Sequence, residues 1–141
     1  MGRIISIDYG EKRVGVALSD PSQTISFPLC VINRLNDQHL MDEIIKIIDE
    51  KKVEKVIIGL PISMSGLHSS QTKKVILFKN TLVQVFLNQE LDVDVSTIDE
   101  RLSSVSAKNI MIQKGIKTGH NKGMIDELSA SIILQEYLDS N

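Results

Sequence analysis

The sequence predicts an α/β fold: a five-stranded mixed sheet, three antiparallel strands and then parallel ones, flanked by helices. Two observations predict it. The chain opens with three short β-rich runs and no helical stripe between them, and each later Val/Ile-rich run follows an amphipathic segment. The order is βββαβαβαα, in which helical crossovers link parallel strands after an antiparallel meander.

Residues 3 to 9 and 13 to 19 read as strands joined by Gly10-Glu11-Lys12, with Gly supplying the turn. A third strand runs from about 25 to 33. Asp37 is the expected cap of the next segment, where Leu40, Ile44, Ile47 and Ile48 share one helical face and Asp42, Glu43, Lys46 and Glu50 take the other. Val53 to Gly59, ending in Gly59-Leu60-Pro61, reads as a buried parallel strand. The small polar residues of 62 to 70 read as an exposed loop. Residues 71 to 89 restore a helical stripe through Val75, Phe78, Leu82 and Val85/Phe86, and 92 to 98 reads as a fifth strand. A helix capped by Ser103 or Ser104 runs through Gln113 to Gly115, and a last one spans about 122 to 138 with Ile125, Leu128, Ile132 and Leu138 inward.

The 141 residues suit one domain over 1–141 and are too few for two. With 42% hydrophobic and 24% charged residues, neither disorder nor a fibrous repeat is indicated. No apolar run approaches the roughly 20 residues that span a bilayer, so neither membrane insertion nor secretion is expected, and the expected location is the cytoplasm. The single cysteine, Cys30, is expected to be a buried small hydrophobe. A net charge of −2 argues mildly against a polynucleotide partner. Lys108, Lys114, Lys117, His120 and Lys122 nevertheless form a basic stretch, and Lys12-Arg13 follow the first strand closely; either group suits phosphate contacts or a solvated surface equally well.

Asp8 ends the first strand, Asp99-Glu100 end the fifth and Asp126 enters near the start of the last helix. Ligands of open α/β sheets bind beyond the carboxyl ends of the strands, where these acids are expected to converge. Clustered carboxylates raise one another's pKa unless a cation compensates them, and a hard divalent ion with oxygen ligands does so. Mg²⁺ or Mn²⁺, as one or two ions, would then support phosphodiester hydrolysis without a covalent intermediate. Each acid also has a plainer use: Asp8 as a turn former, Asp99 or Glu100 as a cap or a partner of Arg101, Asp126 as a complement to the helix dipole. Strand alternation turns Asp99 and Glu100 to opposite faces, so only one of them can face the metal. His68 and His120 lack partners at metal-ligand spacing.

The run from Asp8 to Asp20, the Gly59-Leu60-Pro61 unit, Asp99-Glu100-Arg101-Leu102-Ser103-Ser104, Lys122-Gly123-Met124-Ile125-Asp126 and the tail from Ile133 to Asp139 resemble the YqgF family. These proteins are described as pre-16S rRNA nucleases and as Holliday-junction-resolvase-like. The resemblance spans nearly the whole chain in motif order. It implies an RNase H-like fold and a metal-dependent nuclease trimming the 5′ end of the 16S rRNA precursor in a pre-ribosomal context. It maps the catalytic and metal-binding acids onto Asp8, Glu100 and Asp126, which favours Glu100 over Asp99. Lys12, Arg13, Arg101 and Lys122 are the candidate substrate contacts, and no organic cofactor is implied. The basic stretch usual before the last acid is reduced here to Lys117, His120 and Lys122. A Holliday-junction resolvase acting on DNA and a non-catalytic RNA-binding adaptor are the alternatives within this fold. Outside it, Asp8-x-Gly10 followed by a hairpin and Asp20 also suits the first phosphate loop of actin-like kinases, although one domain supplies only half of that architecture.

Overall fold

A computed structural model describes residues 2–61, 70–99 and 122–140, with side chains from residue 128 onward in the last of these segments. Its elements are β1 (Arg3–Asp8), β2 (Arg13–Ser19), β3 (Ser26–Asn33), α1 (Asp37–Lys51), β4 (Val53–Leu60), α2 (Ser70–Asn88), β5 (Asp94–Asp99) and α3 (Lys122–Asp139). The strands lie in the order β3-β2-β1-β4-β5. β3, β2 and β1 pair antiparallel, and β1, β4 and β5 pair parallel, which is the mixed sheet expected. The expected loop at 62–69 and the helix over 103–113 lie outside the described residues.

Strand alternation builds a core on each face. Ile5, Ile7, Val14, Val16, Leu18, Val56 and Ile58 turn toward α1 and α2, where Leu40, Met41, Ile44 and Ile48 meet Val75, Phe78, Leu82 and Phe86. Ile4, Ala17 and Ile57 turn the other way, toward Ala130, Ile133, Leu134 and Leu138 of α3. Cys30 is half-buried against the first of these cores rather than enclosed in it. Among the described residues no helix is long and apolar enough to cross a membrane.

Two local expectations need correction. The cap of α1 is Asn36, one residue before Asp37: its backbone is extended (φ −162°) and its Oδ1 accepts from the His39 amide at 2.8 Å. Asp37 instead occupies the first turn, where its charge complements the helix dipole, and it pairs with Arg34 at 3.0 Å. Replacing Asn36 by Ala is expected to cost about 1 kcal/mol in chemical denaturation, and Asp37→Ala clearly less.

The inward stripe of α3 is also rotated. Ser129, Ala130, Ile133, Leu134 and Leu138 are buried, whereas Leu128 and Ile132 are only half-buried. The small residues at 129 and 130 let the helix approach the strand backbone, and large apolar side chains at those positions would hold it away.

Candidate active site

The side-chain parity of β1 decides which face Asp8 serves. Ile5 and Ile7 belong to the α1/α2 core and Ile4 to the α3 core. Ser6, wholly buried, donates its hydroxyl hydrogen to the Ala130 carbonyl of α3 at 2.5 Å. Asp8, two residues further on, therefore stands on the α3 face at the carboxyl end of β1, and it is half-buried.

Its neighbours in the sheet are glycines on both sides. Asp8 lies opposite Gly15 of β2, and the pairing of Ile7 with Ile58 brings Gly59 of β4 level with it. Ala17 and Ile57 face α3, so Gly15 and Gly59 share that face, and they leave bare backbone beside the carboxylate.

Helix α3 runs antiparallel to β1. Its far end reaches the amino ends of the strands, where Tyr137 accepts a hydrogen bond from Lys55 and Leu138 lies in the cluster with Ile4. Its first turns consequently lie toward the carboxyl end of β1. Two strand residues advance about 6.6 Å from Ser6 to Asp8, and four helical residues span about 6 Å from 130 back to 126. The backbone of Asp126 thus comes level with Asp8. Lys122, at the start of α3, belongs to the same end of the helix.

Of the other predicted residues, Arg13 opens β2 on the α3 face and is half-buried. Lys12 is exposed in the preceding turn, where its carbonyl accepts from the Arg34 amide at 2.9 Å. The turn needs Gly10 for space, since a Cβ there would come within 2.4 Å of the Arg13 carbonyl oxygen. Asp99 ends β5, exposed; Ile98 before it packs into the α3 core, so Asp99 takes the opposite face. Glu100 and Arg101 lie outside the described residues, as do Lys108, Lys114, Lys117, His68 and His120. Among the described residues no three acidic, His or Cys side chains are grouped to hold a metal, and of the three predicted acids only Asp8 has a described side chain.

A brace that the sequence reading missed supports Asp8 from the opposite face. Tyr9 stacks on Phe78 with ring centroids 4.5 Å apart, and the Arg34 guanidinium lies 5.1 Å above the Tyr9 ring. Arg34 also donates to the Glu11 carbonyl at 3.0 Å, and Lys74 meets the Glu11 carboxylate at 2.6 Å. Burial pushes the Tyr9 phenol up from its usual pKa, with Arg34 partly offsetting it, and the hydrogen bond from Lys74 holds Glu11 below its own. The only sequence signal for this brace was an aromatic residue directly after Asp8.

Asp20 sits at the other end of the sheet and closes its own turn. It accepts from the Thr24 and Ile25 amides at 2.8 and 3.0 Å and from the Ser22 hydroxyl at 2.5 Å. Those bonds, Ser22 first, hold its carboxyl well below the usual range. It is thus committed far from Asp8, which removes the main likeness to a kinase phosphate loop. A groove of about 820 Å³ at this end is lined by Glu54, Asp92, Asp94 and Asp139 against one basic residue, Lys55, and this acidic balance suits it poorly to a phosphate backbone.

The model of the RuvX family, described as Holliday junction resolvase, matches residues 2–140. The chain belongs to this family. Named relatives agree: a "Putative pre-16S rRNA nuclease" of Desulforamulus reducens is 39% identical over 98% of this chain and 97% of its own length. One with the same name from Thermoanaerobacter pseudethanolicus is also 39% identical, over 98% of this chain and 96% of its own length. Among solved structures, T. thermophilus RuvC in complex with a Holliday junction superposes with a TM-score of 0.62 at 13% identity, covering 99% of this chain and 95% of that one. The fowlpox virus resolvase bound to junction DNA gives 0.61 at 15% identity, covering 98% and 97%. These two likenesses concern the fold, which is RNase H-like. As a RuvX member the chain is a nuclease, a hydrolase of phosphodiester bonds, in a family that generally uses divalent metal ions.

Proposed function

We propose that the chain, as one domain over residues 1–141, trims the 5′ end of precursor 16S rRNA in the cytoplasm with Mg²⁺, as one or two ions, held by Asp8, Glu100 and Asp126. The observation that carries the reading is Asp8 on the α3 face, between two glycines and level with the helix turn that bears Asp126. A carboxylate beside bare backbone fits a hard, hydrated cation, which needs oxygen donors and room for its waters and a phosphate oxygen. For the second acid, the parity of β5 supports Glu100. Ile98 packs toward α3 and Asp99 turns to the opposite face, away from Asp8.

Held by Asp8, Glu100 and Asp126, the metal would supply water activation and charge neutralisation when bound. The chain's own residues orient the phosphate. Arg13, on the same face as Asp8, holds a non-bridging oxygen, and Lys12, Arg101 and Lys122 contact neighbouring phosphates. Replacing Arg13 by Gln is expected to weaken RNA binding by about 1 kcal/mol and to lower the salt slope of log K by about one, measured by filter binding between low and moderate salt.

The names of the relatives support an RNA substrate, and the family description supports a DNA junction as the second reading. A side-by-side assay separates them, using a 5′-extended 16S precursor and a four-way DNA junction with Mg²⁺, Mn²⁺ or chelator. Metal-dependent cleavage of the RNA is expected. Preferential cutting of the junction would move the substrate to DNA, and binding of RNA without cleavage would leave an adaptor.

A further inference from the structure

We propose that Arg34 is a positioning residue, whose guanidinium fixes the turn between β1 and β2 and thereby presents Lys12 and Arg13 to the RNA as a preformed pair. This rests on the reading of Lys12 and Arg13 as phosphate contacts.

The register leaves that pair on an overhang. The last pairing between β1 and β2 is Asp8 with Gly15, so Arg13 and Val14 extend past it and, among the described strands, pair only with β3, at Asn33 and Ile32. Lys12 precedes them in the exposed turn. A strand end with one neighbour opens more readily than one flanked on both sides. Arg34, the residue after Asn33, closes it. Its amide donates to the Lys12 carbonyl at 2.9 Å and its Nη1 to the Glu11 carbonyl at 3.0 Å, so main chain and side chain grip consecutive residues of the turn.

The guanidinium is itself held in place. Nε and Nη2 reach Asp37 Oδ1 at 3.2 and 3.0 Å, and the group lies 5.1 Å from the centre of the Tyr9 ring. Arg34 is therefore poorly suited to bind phosphate directly: Asp37 matches its charge, and each of its nitrogens already has a protein acceptor. What it offers is a rigid fork that serves acceptors in fixed directions, which a lysine ammonium cannot reproduce. Lys74 makes a weaker hold on the same turn, since it meets only the Glu11 side chain in an ion pair exposed on both sides. A preformed turn spares the RNA the cost of ordering two long side chains on binding, so loss of the clamp should appear in affinity.

The test measures binding of the full chain to the 5′-extended 16S precursor on filters at low salt, with chelator so that no cleavage intervenes. Arg34→Lys keeps the charge and loses the fork, and it is expected to weaken binding about fivefold. In a chain already carrying Lys12→Gln and Arg13→Gln the same change should cost less than about twofold, because the groups it positions are gone. Lys74→Ala should stay within about twofold of wild type. If Arg34→Lys melts below the assay temperature, Arg34→Met replaces it, keeping the apolar stem and removing the fork. Wild-type affinity in the Arg34 variant, an undiminished loss in the Gln background, or an equal loss in Lys74→Ala overturns the proposal. Lys12→Gln with Arg13→Gln separates the two levels: weakened binding there upholds the phosphate reading whatever Arg34 does, and wild-type binding removes both.

Discussion

Asp8→Asn is expected to reduce metal-dependent phosphodiester cleavage by roughly 10³-fold or more, a loss of about 4 kcal/mol of transition-state stabilisation. The substitution keeps the shape of the side chain and replaces a charged oxygen donor by a neutral amide. A hard cation held by few protein ligands loses both affinity and alignment when one of them is neutralised. Folding should hardly change, because Asp8 is half-buried at a strand end while β1 is anchored by Ile5 and Ile7. Single-turnover cleavage of the 5′-extended precursor, with melting curves beside it, measures both quantities. Wild-type cleavage by the purified variant would mean either that another acid carries the chemistry or that a contaminant does.

Leu134→Ala is expected to destabilise the fold by about 3 kcal/mol and lower the melting temperature by about 10 °C. Leu134 is fully buried between α3 and the sheet, alongside Ile4, Ala17, Ile57, Ala130 and Ile133. Truncation leaves a cavity in this smaller of the two cores, where few neighbours can collapse into the space. Leu87→Ala is the comparison: Leu87 is 64% exposed, and its loss should cost no more than about 0.5 kcal/mol. Urea denaturation of the two variants beside wild type reads the difference directly. A Leu134 variant as stable as the Leu87 variant would mean that α3 does not pack as described.

The fold was legible in the sequence wherever periodicity alone decided it. Leu40, Ile44 and Ile48 of α1 and Val75, Phe78, Leu82 and Phe86 of α2 form stripes over the broad apolar face of the sheet. For α3 the same reasoning placed Leu138 inward correctly but also chose Leu128 and Ile132, which are only half-buried, because it weighed apolar size. The contact is made by Ile133, Leu134 and Leu138 together with Ser129 and Ala130, whose smallness brings the helix near enough for Ser6 to reach a helix carbonyl. Close approach leaves no hydrophobic signal in a sequence. The same holds for Asn36 against Asp37: both residues suit a cap, and their roles are separated only by tertiary geometry, the bond from the His39 amide to Asn36 and the pairing of Asp37 with Arg34.

For the site, Asp8 was legible because a strand-ending acid before Tyr-Gly stands out, and the family resemblance supplied the proposed counterparts at 100 and 126. The glycines on each side of Asp8 were visible as letters but acquired meaning only from the register, which sets residue 15 opposite it and residue 59 level with it. The brace of Tyr9, Phe78 and Arg34 joins three segments remote in sequence, so no local pattern could announce it.

The most direct measurement is anomalous diffraction from crystals of the full chain grown with Mn²⁺. A manganese peak within coordination distance of the Asp8 carboxylate, on the α3 side of the sheet, is the predicted result. Manganese bound only elsewhere, with Asp8 ligated by protein groups alone, would contradict it.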